Sequence, residues 1–155
     1  MTFEGQGKIV RTELRTLTPL TVAFGGPALR APGAIAVGGG RVSLYRGGPA
    51  GPKKPAVITR ASPGIPGGRG GFRAPTLADL NHDGHADLIV GSRVPDSDVT
   101  IIYGRRSGFA AHGNVTFNDA SVGVSGAGKL ADRFGDGMST LDVNGDGDKD
   151  LLIGD

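Results

Sequence analysis

The chain has no cysteine among its 155 residues, so its fold owes nothing to disulfides and the redox compartment stays open. Aromatic residues make up only 5% of it, which leaves a thin hydrophobic core for this length. No apolar run is long enough to span a membrane. Sustained helical periodicity is also missing. The best stretch, Ile9 to Leu20, is interrupted near its end by Pro19. No G-x-S-x-G elbow occurs, which removes the commonest signature of a nucleophilic serine, and no Arg-Gly-Asp tripeptide occurs.

Glycine and proline are abundant instead: 29 and 10 residues, a quarter of the chain. They punctuate short β-rich runs at Val57–Arg60, Leu88–Val90, Val99–Tyr103, Asn114–Phe117 and Leu151–Ile153. This pattern predicts an all-β protein of small sheets. The net charge of +2 conceals an asymmetry. Residues 1–75 carry eleven Lys and Arg against two acids, and residues 76–155 carry six against thirteen. The basic residues are scattered among Gly and Pro without a recognition helix or interleaved aromatics. That argues for a solvated basic face and against nucleic acid as a partner.

The acidic half contains one nine-residue pattern twice. Asp79-Leu-Asn-His-Asp-Gly-His-Ala-Asp87 and Asp142-Val-Asn-Gly-Asp-Gly-Asp-Lys-Asp150 both read D-x-N-x-D-G-x-x-D, and each runs into an apolar strand. Oxygen-bearing side chains at alternate positions, with glycine at a sharp turn, suit a hard cation that takes six to eight oxygens. Two calcium sites are expected. The first uses Asp79, Asn81, Asp83, the His85 carbonyl and Asp87; the second uses Asp142, Asn144, Asp146, the Asp148 carbonyl and Asp150. An EF-hand would need a carboxylate at position 12, where Val90 and Ile153 stand. Zinc would want three or four N or S ligands, so His82 and His85 are read as exposed side chains. The alternative is a pair of Asx-rich turns that only reverse the chain.

These loops resemble those of FG-GAP repeats, the blades of the integrin α-subunit β-propeller and of many bacterial surface proteins. Phe134-Gly135 precedes the second loop as the family's Phe-Gly pair does, the earlier slot reads Gly71-Phe72, and Gly91-Ser92-Arg93 stands at the turn after the strand. A third, eroded copy lies upstream. Phe24-Gly25 precedes Ile35-Ala-Val-Gly38 and Arg41-Val-Ser-Leu-Tyr45, which parallel Leu88-Ile-Val-Gly91 and Val99-Thr-Ile-Ile-Tyr103 without an acidic loop.

The resemblance implies a partial β-propeller of about two to three antiparallel blades with calcium-binding β-hairpin loops. Residues 1–21 are expected to be a disordered or weakly helical segment. A degenerate repeat follows at about 22–60, a full one at about 61–120 and an incomplete one at about 121–155, ending after its first strand. At about sixty residues per blade the chain holds too few blades to close a ring. It is read as part of a larger propeller, a truncated product, or a subunit completed by self-association.

What the resemblance implies for function is a calcium-binding structural or adhesive module with a protein or glycan ligand, at the cell surface or outside the cell, without catalysis of its own. The alternative is an accessory propeller fragment of a larger secreted hydrolase or lipase. Lys8, Arg11 and Arg15 before the short, interrupted run Leu17 to Phe24 make a poor secretion signal. Gly123 to Leu130 imitates a phosphate-binding loop but has Leu where a hydroxyl must reach magnesium. Gly48 to Lys53 makes two collagen-like triplets and stops, so it reads as a turn-rich link.

Overall fold

The computed structural model describes residues 22–24, 34–37, 40–46, 54–66, 70–92, 97–121 and 133–154. The expectations for residues 1–21, for the stretch 25–33 of the eroded repeat, for the collagen-like triplets and for the phosphate-loop imitation lie outside these.

All described secondary structure is β. Twelve strands follow in order: β1 (Val22–Phe24), β2 (Ala34–Val37), β3 (Val42–Arg46), β4 (Ala56–Ile58), β5 (Phe72–Ala78), β6 (Asp87–Ser92), β7 (Val99–Ile102), β8 (Gly104–Arg105), β9 (Gly108–Phe109), β10 (Val115–Phe117), β11 (Gly137–Leu141) and β12 (Asp150–Gly154). They form a first antiparallel sheet β1-β2-β3-β4, a second β5-β6-β7-β10, a third of β11 and β12, and a small β8–β9 ribbon. Sequence neighbours pair within the sheets, as expected of strands joined by short polar turns, except that β7 pairs with β10 across the inserted β8–β9 ribbon. Among the described residues of 121–155 two strands are found, one on each side of the second motif, where the sequence reading expected one.

The three sheets stack face to face. Val42, Leu44 and Ile58 of the first sheet meet Phe72, Leu77, Leu88, Val90 and Ile102 of the second. On the opposite face of the second sheet, Ala78, Ile89 and Val99 meet Phe134, which precedes the third sheet, flanked by Met138, Leu151 and Ile153. Successive residues of a strand point to opposite faces, so β6 sends Leu88 and Val90 one way and Ile89 the other. A strand covered on both faces reads as a continuous apolar run, and β6 is buried along its whole length.

Each junction between sheets is filled by one phenylalanine and closed by a glycine contact. Phe72 fills the first junction, where Gly40 and Phe72 exchange backbone hydrogen bonds of 2.9 and 3.1 Å. A Cβ on Gly71 would lie 2.8 Å from the Gly40 Cα. Phe134 fills the second junction, its ring edge-on to Phe117 at 6.2 Å, and a Cβ on Gly91 would lie 2.3 Å from the Gly135 carbonyl oxygen. Gly71-Phe72 therefore does the work of Phe134-Gly135 with the order reversed.

Arg60 adds a polar latch across the first junction. Its guanidinium pairs with Asp98, approaches the Thr100 hydroxyl at 3.4 Å, and stacks 4.8 Å from the Phe72 ring centroid. Arg73 and Asp136 form an ion pair across the second. The end strands of the sheets also meet, since β5 runs beside both β1 and β11.

Besides strand β11, which the sequence reading did not anticipate, further details differ from it. Strand β4 ends at Ile58, and Arg60 sits in a turn in which Ser62 Oγ accepts the Thr59 N–H at 3.0 Å. Strand β5 was not anticipated, because it contains Pro75. A bulge between Arg73 and Thr76, with Ala74 at φ 46°, accommodates the missing N–H. The parallel between the eroded and full repeats is one residue out of register in its second strand. Ile35 pairs with Tyr45 as Leu88 pairs with Ile102, so Tyr45 matches Ile102 rather than Tyr103.

Candidate metal centre

Both nine-residue motifs are hairpin connections. The first joins β5 to β6, with Ala78 opposite Asp87, and the second joins β11 to β12, with Leu141 opposite Asp150. The first and last acids of each motif therefore stand at the two feet of a hairpin, and the middle residues curl between them.

The two loops repeat the same hydrogen bonds with one exception: the first acid accepts a second N–H from position five in one loop and from position four in the other. Asp79 accepts the N–H groups of Asp83 (3.1 Å) and Gly84 (2.8 Å); Asp142 accepts those of Gly145 (2.6 Å) and Gly147 (2.9 Å). The Asn81 side-chain oxygen accepts the Asp83 N–H at 3.2 Å, and Asn144 accepts that of Asp146 at 3.0 Å. Asp83 accepts the His85 N–H at 2.9 Å, and Asp146 that of Asp148 at 2.8 Å. Asp87 and Asp150 reach back across their loops to the N–H groups of Leu80 (2.9 Å) and Val143 (2.8 Å). Positive φ angles recur at the fourth and sixth positions: His82 (59°) and Gly84 (81°), then Gly145 (80°) and Gly147 (95°). Glycine at 145 meets a backbone demand that histidine at 82 meets under strain.

Each carboxylate oxygen that accepts one N–H keeps a second lone pair, so these bonds leave room for a cation. Among the described residues no three His, Cys, Asp or Glu side chains form a ready-made metal cluster. The donor set in each loop is mixed, with an asparagine and a backbone carbonyl between the acids, and its middle members Asn81, Asp83, Asn144, Asp146 and Asp148 are exposed. The Asx-turn reading and the calcium reading thus share one geometry.

The electrostatics differ between the loops. Asp87 is fully buried, and burial pushes its carboxyl above the usual carboxylate range; the N–H groups of Gly104 and Leu80 pull against this, and the charges of Asp83 and Asp79 raise it further. That mutual repulsion is what a divalent cation would relieve. Asp146 is held below the ordinary range by the Asp148 N–H and the Asn144 amide. His82, in the first loop, sets its Nδ1 2.5 Å from a carboxylate oxygen of Asp148 in the second, and this hydrogen bond and charge raise its imidazole above the ordinary value. The two loops are therefore neighbours, through a contact between residues 66 apart that has no local signature.

One supporting residue escaped the sequence reading. Gly104 donates its N–H to Asp87 at 2.8 Å, and a Cβ there would lie 2.1 Å from the Ala86 carbonyl oxygen. Its position directly after an apolar strand, at a turn, is the only signal a reader could have used.

Parts of longer proteins resemble this chain. Phosphatidylinositol-glycan-specific phospholipase D is 36% identical over 86 residues in Mus musculus, 37% over 84 in Rattus norvegicus and 34% over 88 in Bos taurus. The matches cover 51%, 50% and 52% of this chain and 10% of each relative, so the chain matches about a tenth of their length. No model of a known protein family and no solved structure matches the chain.

Proposed function

We propose that this chain is a calcium-binding repeat module of the FG-GAP type, a run of β-propeller blades with a structural or adhesive role and no catalysis of its own. The observation that carries the reading is the identity of the two loops. They share four ligand-type side chains at the same positions, the same reach of the ninth residue to the second N–H, and the same positive φ angles. Each acid keeps lone pairs beside the N–H groups that it accepts, so both loops converge oxygens that a cation could share.

Calcium would be held by Asp79, Asn81, Asp83, the His85 carbonyl and Asp87, and by Asp142, Asn144, Asp146, the Asp148 carbonyl and Asp150. It would tie the feet of each hairpin together. The stacked sheets, each sealed by a phenylalanine and a glycine, support the blade reading. Sites with the affinity of extracellular modules, about 10⁻⁴–10⁻³ M, fill outside the cytoplasm, and we assign the module there. Its exposed rim would meet a protein or glycan ligand.

The likeness to part of a phospholipase favours a second reading, in which the same module is an accessory region of a larger hydrolase. Both readings share the calcium sites. Equilibrium dialysis against radioactive calcium, with magnesium in excess, tests them. Wild type should retain two ions per chain, and Asp79→Ala and Asp142→Ala one each. Retention of none by the folded wild type would leave the loops as plain turns.

A further inference from the structure

The stacking of the sheets follows a rule that one face does not satisfy. Ala78, Leu80 and Ile89 of the second sheet form the face that Phe134 covers. A shift of 63 residues superposes the motifs and carries these positions to Leu141, Val143 and Leu152. The strand registers agree, since Thr76 opposes Ile89 as Ser139 opposes Leu152. In the third sheet these three are 44%, 63% and 42% exposed. The opposite face of β12 behaves as its counterpart does: Leu151 and Ile153 pack on the second sheet, as Leu88 and Val90 pack on the first.

Among the described residues the other end of the stack is open as well. Val42 and Ile58 of the first sheet point at the second, so Ser43 and Val57, opposite each other in the register, lie on the far face; Val57 is 49% exposed. The two ends differ in charge. At the first sheet Arg41 and Lys54, beside β3 and β4, are exposed, and no acid occurs between Glu13 and Asp79. Residues 133–154, which hold the third sheet, carry five Asp against Arg133 and Lys149, a balance of −3, with Asp146 and Asp148 exposed. One calcium ion in the second loop, bringing +2, would still leave that end at −1.

We infer that copies of this chain associate head to tail, the Leu141–Val143–Leu152 face of one seating on the Val57 face of the first sheet of the next. The apolar face supplies the contact, the opposite charges set its polarity, and the junction repeats the two already present within the chain. Like charges disfavour the tail-to-tail alternative, which would oppose two acidic ends. A pair of copies places six sheets in one series, within the four to eight that closed propellers use. The inference stands on packing and charge and does not require that the loops bind calcium.

Sedimentation velocity on the whole chain tests it, with calcium and with chelator. Wild type should self-associate at concentrations up to about 100 µM, in the range of weak interfaces, and less so as salt rises from about 0.05 to about 0.5 M. Leu152→Lys and, separately, Val57→Lys should each weaken association by about tenfold or more. Both sites are exposed, and circular dichroism melts identify any variant that fails to fold; Leu141→Lys then replaces Leu152→Lys. Mixing the Leu152→Lys and Val57→Lys proteins should restore association, because one intact tail meets one intact head. A wild type that stays monomeric throughout would overturn the inference. So would a Val57→Lys protein that associates as wild type does, since that means tail-to-tail pairing.

Discussion

Replacing Gly91 by alanine probes the sheet stacking at its tightest point. The added Cβ would sit 2.3 Å from the Gly135 carbonyl oxygen and 3.1 Å from its carbon. Ordinary contact for a carbon atom begins near about 3.5 Å, so something must move by about 1 Å. Neither side yields easily. Gly91 belongs to the buried strand β6, and Gly135, at φ 83°, donates its N–H to the Gly154 carbonyl at 3.1 Å. Overpacking of this kind costs about 1–3 kcal/mol, against which alanine recovers about 0.5–1 kcal/mol of backbone entropy. A net loss of about 1–2 kcal/mol should lower Tm by about 2–8 °C in a chain of this size.

The control is Gly137→Ala on the exposed strand β11, where a Cβ meets nothing within 4 Å and no positive φ intervenes. It should be neutral or stabilise by up to about 1 kcal/mol. Both variants would be melted by circular dichroism under identical calcium. If Gly91→Ala melted at or above the wild-type temperature, the close approach of the second and third sheets would be wrong.

Other substitutions separate the remaining contributions. Arg60→Ala leaves the buried carboxylate of Asp98 without its partner and strips the cation from the Phe72 ring, so chemical denaturation should register a loss of about 3–5 kcal/mol. Phe134→Ala removes the filler of the second junction and should cost about 3–5 kcal/mol, with Met138 and Leu151 becoming accessible to limited proteolysis or hydrogen exchange. Gly104→Ala would press on the Ala86 carbonyl and displace Asp87, so a calcium titration should find the first site about tenfold weaker and the second unchanged.

The loops were legible because their chemistry is written in consecutive residues. Alternating oxygens and a glycine at the sixth position announce a tight, side-chain-bonded turn before any contact is known. Strands β6 and β12 were legible as apolar runs leaving those loops. Strand β5 was hidden by Pro75, whose lost donor is absorbed by a bulge that only the pairing with β6 reveals. Strand β11 was hidden because one of its faces is open, so Gly137-Met-Ser-Thr-Leu141 lacks the apolar density of its neighbour. The Phe72 and Phe134 fillers were visible as residues but not as equivalents, since the reversed order at Gly71-Phe72 breaks the linear match although each ring fills a junction between sheets. Contacts between distant segments, Arg60 with Asp98 and His82 with Asp148, have no local signature at all.

The central claim is that calcium ties the two hairpins, and thermal unfolding in chelator, in calcium and in magnesium tests it most directly. With calcium at about a hundred times the dissociation constant, each filled site adds about 2.7 kcal/mol. At about 2–4 °C per kcal/mol, two sites should raise Tm by about 10–20 °C over chelator, and magnesium should give little of that rise. Equal melting temperatures in calcium and in chelator, or an equal rise with magnesium, would contradict the account.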